Sequence, residues 1–501
     1  LHLLSRRQRQ MCIRDRYEMC RKYYPDLYAR IKEAIKGGQW IADGAMWVEP
    51  DTNMASGEAL IRQLVHGKRY YKEELGVDSE VLWLPDTFGY TAALPQILKG
   101  CGVNYLVTQK IFWSYNEGEQ FPYHYFTWQG MDGSEIDSFL PTSYTYRTHP
   151  SEVNNIWKNR VQVQDLDAFL LPFGYGDGGG GPARDFIESA KRQEDIEGGV
   201  KVKMASPLEF FHDMEAQGGP ANTYVGELYF SAHRGTYTSQ AMVKQNNRKC
   251  ELALREMELW SVLAMNKGMT YNLSKADALW KELLLHQFHD ILPGSSIAKV
   301  YVEAENAFHE ILDGADKLQK DALNALTDQK EDQAVTVFNS LSFPRKMLVE
   351  LPDAFANGAK TVDGTAVPVQ KIGDVVGQRG KTINAIIEET GVKIDIDDDG
   401  NVSICGTEKE NMEKAAKYIH TIVTDYEAGQ LFEGKVVSIK EFGAFVEFAP
   451  GKEGMVHISK LSKNRVEKVE DVVSLGDVVK VVCLGKDKMG RFSFSMKDVA
   501  E

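Results

Sequence analysis

Residues 81–98 read VLWLPDTFGYTAALPQIL. The run at 81–84 is wholly apolar, Pro85 ends it, and Asp86 follows at once. A short continuous apolar run of this kind reads as a strand buried on both faces. A carboxylate just past such a strand stands where an α/β barrel keeps its catalytic groups, although it equally suits a helix N-cap. Working outward, NYLVTQK (104–110) and AFLLPFG (168–174) read as further buried strands, and YPDLYARIKEAIKGGQW (24–40) as a helix. This alternation predicts a parallel α/β domain over 17–237. From 238 to 330 the pattern turns helical. One long helix runs through MVKQNNRKCELALREMELWSVLAM (242–265), and a second spans 275–289. Pro293-Gly294 stops the second, and Ser295 or Ser296 can cap the next. VTVFNSLSFPRKMLVELP (335–352) reads as β-hairpin material.

The whole chain has 501 residues, enough for three domains or more. It is 43% hydrophobic and 26% charged, which excludes wholesale disorder. No stretch reaches the ~18 apolar residues of a membrane span. The six cysteines are widely separated and form no CxxC, which argues against a disulfide framework and suits a reducing cytoplasm. A net charge of −14 excludes a generally basic nucleic-acid coat, though not a local patch. Residues 1–16, LHLLSRRQRQMCIRDR, stand apart: five arginines against one aspartate in an acidic protein. They read as adaptor-like, non-native sequence, with native sequence starting near Tyr17 inside a helix and with something upstream missing.

Three segments carry candidate chemistry: Asp86 in the opening stretch, Asp177 in LLPFGYGDGGGGP (170–182), and the His286, His289, Asp290 group in LLLHQFHDILPGSS (283–296). The glycine run formally matches GxGxxG, but Asp177 would set a carboxylate beside a pyrophosphate, so a dinucleotide site is a poor reading. His289 on an apolar helix equally reads as a core histidine.

Taken together, GAMWVEPDTNMASGEALIRQ, LWLPDTFGYTAALPQIL, FPYHYFTWQGMDGSEI, GYGDGGGGP, HRGTYTSQA, HQFHDILPGSS and VFNSLSFPR resemble the glycoside hydrolase family 38 α-mannosidases. The resemblance implies an incomplete (β/α)7 barrel over 17–237, a helical middle domain over 238–330 and the opening of a β-sandwich over 331–365. It implies a retaining, zinc-dependent α-mannosidase acting on α-mannosides or mannose-containing oligosaccharides. On it, Asp86 matches the nucleophile and a zinc ligand, Asp177 the general acid/base, and His289 a zinc ligand, with Asp290 a second-shell or substrate contact. Trp47, His233 and Tyr237 are sugar contacts or rim packing. The family's zinc site also uses a His-x-Asp pair, and no histidine here is followed by aspartate at the second position. Two of four expected zinc ligands remain.

The sequence then changes character. In VPVQKIGDVVGQRGKTINAIIEETGVKIDIDDDGNVSICG (367–406) the loop Gly377, Gln378, Arg379, Gly380 lies between helical segments. It resembles the GxxG of a KH domain (366–428), whose glycines let RNA phosphates approach closely, with Arg379 and Lys381 supplying charge. From 429 to 501, short alternating strands resemble the S-one OB barrel, implying RNA contacts at Phe442, Phe445, His457, Asp487 and Arg491. The pair resembles the C-terminus of bacterial polynucleotide phosphorylase and implies binding of single-stranded RNA without catalysis. No linker separates the halves, which reads as two unrelated coding segments joined rather than a natural fusion. The alternative is an RNA-binding protein with an inert first half.

Overall fold

The structure is a computed structural model that describes residues 13–113, 119–175, 181–327, 334–344, 349, 351–352, 355, 358–367, 381–396, 402–405, 408–423, 426, 428–449, 452–464, 466–486 and 491–499. The chain divides into two compact units, 1–328 and 329–501.

The first unit opens with helices α1 (Ile13–Tyr23), α2 (Pro25–Lys36) and α3 (Gly57–Tyr70). α1 runs without a break across the 16/17 boundary read from sequence. Tyr17 on it is buried and accepts a hydrogen bond from the Trp40 indole N–H at 2.8 Å. Ser56 caps α3 by accepting from the Ala59 N–H, an N-cap signature visible in the sequence.

Strands β1 (Val81–Trp83), β2 (Tyr105–Val107), β3 (Tyr125–Gln129), β4 (Glu135–Phe139) and β5 (Thr223–Val225) form one sheet in the order β1-β2-β4-β3-β5. β3 and β4 are antiparallel, and the other neighbours are parallel. Gly44 adds a parallel bridge to Leu82 outside β1. Side chains alternate between two covered faces: Leu82, Leu106 and Phe126 enter one core cluster, Val81, Tyr105 and Tyr125 another. The described strands make an open five-stranded sheet, and the closure of a seven-stranded barrel is not among the described residues. The expected strand at 168–174 contributes only an isolated bridge, Tyr146 to Phe173. Pro172 accepts from the Tyr146 N–H but has no N–H of its own to continue a ladder.

Between and after the strands lie α4 (Leu94–Gly100), α5 (Lys110–Trp113), α6 (Pro150–Asn159), α7 (Arg184–Arg192) and α8 (Pro207–Ala216). A 3₁₀ turn, Ser231–Tyr237, leads into the long helices α9 (Ala241–Met265), α10 (Leu273–His286) and α11 (Ala298–Leu326). Leu254, Met257, Trp280, Leu283, Phe308 and Ile311 join them in a core shared with α1–α3. α10 ends at His286, so His289 lies beyond the helix and not on its last turn. The reason is a change of partner: the His289 N–H bonds to the Glu49 carbonyl at 3.0 Å, and the Asp51 N–H bonds to the Gln287 carbonyl at 2.8 Å. Ser295 and Ser296 do not cap α11, whose N-cap is Ile297; their hydroxyls bond Asp290 instead.

In the second unit, the described parts of 335–352 form no strand, with Val335, Val337 and Phe343 exposed. A two-residue hairpin, β6 (Ala359–Lys360) with β7 (Ala366–Val367), follows. Helix α12 (Lys381–Thr390), the antiparallel pair β8 (Lys393–Ile396) and β9 (Val402–Cys405), and α13 (Lys409–Val423) surround a small core of Ile386, Val392, Ile394 and Ala415. Strands β10 (Leu431–Lys440), β11 (Gly443–Ala449), β12 (Lys452–His457), β13 (Val478–Lys486) and β14 (Phe492–Ser495) close into a barrel, β10-β11-β12-β14-β13. Its interior holds Val436, Ala444, Val446, Val456, Val481 and Phe494. Closure leaves no free strand edge.

Candidate active site

β1 delivers Asp86 to the end of the sheet, and β2 delivers α5 beside it. The Pro85 carbonyl accepts from the Gln109 and Lys110 N–H groups at 3.2 and 3.1 Å, which fixes the start of α5 against the strand end. The Lys110 ammonium then forms an ion pair with Asp86 Oδ1, and the Tyr144 hydroxyl donates to the same oxygen at 3.0 Å. On the other side, His289 Nε2 lies 3.6 Å from Asp86 Oδ2. His289 Nδ1 faces the Glu49 carbonyl at 3.0 Å; a carbonyl only accepts, so Nδ1 carries the proton. Asp86 is no helix cap: α4 begins eight residues later.

Charge follows from this packing. Burial alone would raise the Asp86 carboxyl, but His289 and Lys110 outweigh it and hold the group ionised, well below the usual carboxylate range. Burial would lower His289, yet Asp86 and Glu49 push it up to about 9. Glu49 is pushed up to about 7 by burial, against the pull of His289.

The segment before α3 forms the adjoining wall. The Asp51 carboxylate accepts from the Met54 and Asn53 N–H groups at 2.7 and 3.0 Å. Asn53 Nδ2 donates to the Tyr237 hydroxyl at 3.0 Å. Gly89 allows the close approach here: a Cβ would stand 3.0 Å from Asn53 Nδ2, and its φ of +109° suits glycine alone. Aromatic rings complete the wall. Phe88 packs 4.7 Å from His233 and 6.2 Å from His289, and Trp113 lies 5.5 Å from His233.

Of the residues read from sequence, Asp86, His289 and His233 therefore converge, with Tyr237 tied to the same wall through Asn53. Asp290 lies next to His289, with its carboxylate accepting from Ser295 at 2.8 Å. The structure seats the Trp47 ring in the helical core against His66 and Tyr70, at 5.9 and 6.5 Å, as packing. Asp177 lies outside the described residues. Sequence reasoning missed Lys110, Tyr144, Glu49 and Trp113. Lys110 had a signal, since it follows a buried strand as Asp86 does; Tyr144 had none.

Zinc is the metal the sequence resemblance implies. Asp86 and His289 face each other, and the carbonyl behind His289 orients its ring as such ligands are usually oriented. Among the described residues, however, no group of three or more His, Cys, Asp or Glu side chains is placed to hold a metal. Two donors do not fit a zinc site built on three or four, and no catalytic step is routed through a metal.

In the second unit, Phe442 is 51% exposed at the turn joining β10 and β11, and Phe445 is half-buried with its ring 6.3 Å away. Gly443 pairs with His457 across β11 and β12, so exposed His457 shares this surface. Arg491 is exposed just before β14. Lys381 opens α12. Gly377, Gln378, Arg379, Gly380 and Asp487 lie outside the described residues.

Comparison with known proteins places both halves. Residues 11–227 match the glycosyl hydrolases family 38 N-terminal domain, and residues 231–326 the alpha mannosidase middle domain. The first half of the chain is thus similar to the N-terminal and middle domains of glycosyl hydrolase family 38. Residues 365–421 match the KH domain and 425–497 the S1 RNA binding domain. Human alpha-mannosidase 2C1 is 37% identical over 359 residues, covering 70% of this chain and 34% of that protein. Alpha-mannosidase G of Dictyostelium discoideum is 39% identical over 317 residues, covering 62% of this chain and 29% of its own length. The polyribonucleotide nucleotidyltransferase of Lachnoclostridium phytofermentans is 77% identical over 132 residues, which are 26% of this chain and 19% of that enzyme. The chain thus spans about a third of the mannosidases it matches and about a fifth of the nucleotidyltransferase. A crystal structure of an alpha-mannosidase from Enterococcus faecalis shares the fold, with a TM-score of 0.53 at 18% identity over 61% of this chain and 36% of that one. No described helix is long and apolar enough to cross a membrane.

Proposed function

We propose that the first half is the catalytic part of a retaining α-mannosidase, with Asp86 as the nucleophile and Asp177 as the general acid/base. The observation that carries this is the setting of Asp86. It is a strand-end carboxylate kept ionised by Lys110 and His289, steadied by Tyr144, and walled by aromatic rings. In this reading Asp86 attacks the anomeric carbon while Asp177 protonates the departing oxygen. Lys110 and Tyr144 are positioning residues that hold the attacking oxygen in line. His233 and Tyr237 meet the sugar from the adjoining wall. A 2-deoxy-2-fluoro-α-mannosyl fluoride tests the assignment, because it traps the glycosyl-enzyme. Mass spectrometry should find the sugar on the peptide holding Asp86, and Asp86→Ala should lose both label and turnover. Label on another carboxylate, or turnover surviving in Asp86→Ala, would sink the assignment.

The second half supports a separate reading, binding of single-stranded RNA. The observation behind it is exposed Phe442 with half-buried Phe445 beside His457 on a closed OB barrel. The free cysteines Cys20, Cys101, Cys250 and Cys483 support a reducing compartment such as the cytoplasm.

A further inference from the structure

Trp113 ends α5, and its ring is 58% exposed. Phe230 beside it is only 1% exposed, and Phe88, two residues after Asp86, is 6% exposed. The large apolar face of Trp113 is therefore open to solvent beside the site, with the indole free to meet a ligand. The ring is also held in place. Phe230 lies 5.9 Å away, His233 stands edge-on at 5.5 Å, and the Lys110 ammonium is 4.7 Å from the ring centroid. The same ammonium pairs with Asp86, so a single side chain joins the carboxylate to the tryptophan.

The order of exposure gives the cleft a direction. Buried Phe88 and His289 lie at the floor beside Asp86, and Trp113 stands at the mouth. A sugar reacting at Asp86 occupies the floor, so its leaving group extends toward the mouth. Aromatic faces are electron-rich and attract weakly positive edges; the C–H face of a pyranose presents such an edge while its hydroxyls stay in water.

We propose that Trp113 is the stacking platform for the sugar on the leaving-group side of the scissile bond, so that the cleft recognises an α-linked mannose disaccharide rather than a lone mannose. This rests on the mannosidase reading of Asp86. Isothermal titration of the full chain with α-linked mannobiose and with methyl α-mannoside, at a pH where turnover is followed and corrected for, separates the two. The parent chain should bind mannobiose about three- to tenfold more tightly than the monosaccharide, the range of one aromatic contact. Trp113→Ala should abolish that preference, weakening mannobiose more than methyl α-mannoside, and Trp113→Phe should keep part of it. A preference that survives in Trp113→Ala, or a parent chain that binds both sugars equally well, overturns the platform alone. A folded parent chain that binds neither sugar overturns the mannosidase reading and the platform with it.

Discussion

Replacing Gly67 by alanine should destabilise the first unit and loosen its cleft. Gly67 lies in the last turn of α3, where a Cβ would stand 2.2 Å from the Ala45 carbonyl oxygen, 2.4 Å from Met46 C and 2.7 Å from Trp47 N. All three are backbone atoms, so no side chain can swing aside. The segment also has little slack, because buried Ala45 is already left-handed at φ 62°, a conformation that costs a residue with a Cβ about 1–2 kcal/mol. Alanine gains about 1 kcal/mol of helix propensity, while overpacking costs about 1–3 kcal/mol and more where backbone must move. The balance is a net loss of up to about 2 kcal/mol from overpacking alone, increased by whatever the backbone shift costs, and the melting temperature should fall at roughly 2–4 °C per kcal/mol lost. The damage should reach the site, because this segment continues to Glu49, whose carbonyl holds His289. Thermal unfolding and mannoside titration on the same preparations would measure both effects. Gly57→Ala in the same helix is the control: nothing lies within 4 Å of its Cβ, so it should melt at or above the parent temperature. A Gly67→Ala protein that melts with the parent would refute the steric argument.

Three further outcomes can be checked. Lys110→Met should lower stability by about 1–3 kcal/mol in urea unfolding, because Asp86 keeps His289 and Tyr144 but loses its ion pair with Lys110, and Lys110→Arg should restore part of it; no change would mean the pair makes no net contribution. His124 is fully buried, and burial pulls it down to about 4 from 6.5, so the unfolded chain binds the extra proton between those values. Its contribution is complete above pH 6.5 and is lost as the pH falls toward 4, by up to about 3 kcal/mol, and unfolding at stepped pH should show a shallower acid loss in His124→Phe. In the tail, Phe442→Ala and Phe445→Ala should each weaken single-stranded RNA by about 1–3 kcal/mol in fluorescence anisotropy, with affinity falling as salt rises; indifference to both would place the RNA elsewhere.

What could be read in the sequence, and what could not, divides by the range of the interaction. β1, β2 and the long helix α9 were legible because apolar runs and helical spacing are local signals, and Asp86 was legible because it directly follows such a run. The alternating strands of the OB barrel were legible for the same reason. Misreadings arose where a distant partner decided. His289 carries a helical pattern, but the helix ends at His286 because the Glu49 carbonyl, 240 residues away, takes the His289 N–H. Trp47, read as a sugar contact or as rim packing, has its ring set among α3 and α10 by contacts that no local pattern shows. Lys110 and Tyr144 lie 24 and 58 residues beyond Asp86, and only the pairing of β1 with β2 and of β2 with β4 brings them to one oxygen. The same topology explains why Trp113 went unread. In sequence it is one aromatic residue at the end of a four-residue helix; in the fold, the ammonium one turn before it reaches both the ring and the carboxylate, and that shared contact turns an exposed tryptophan into part of the cleft.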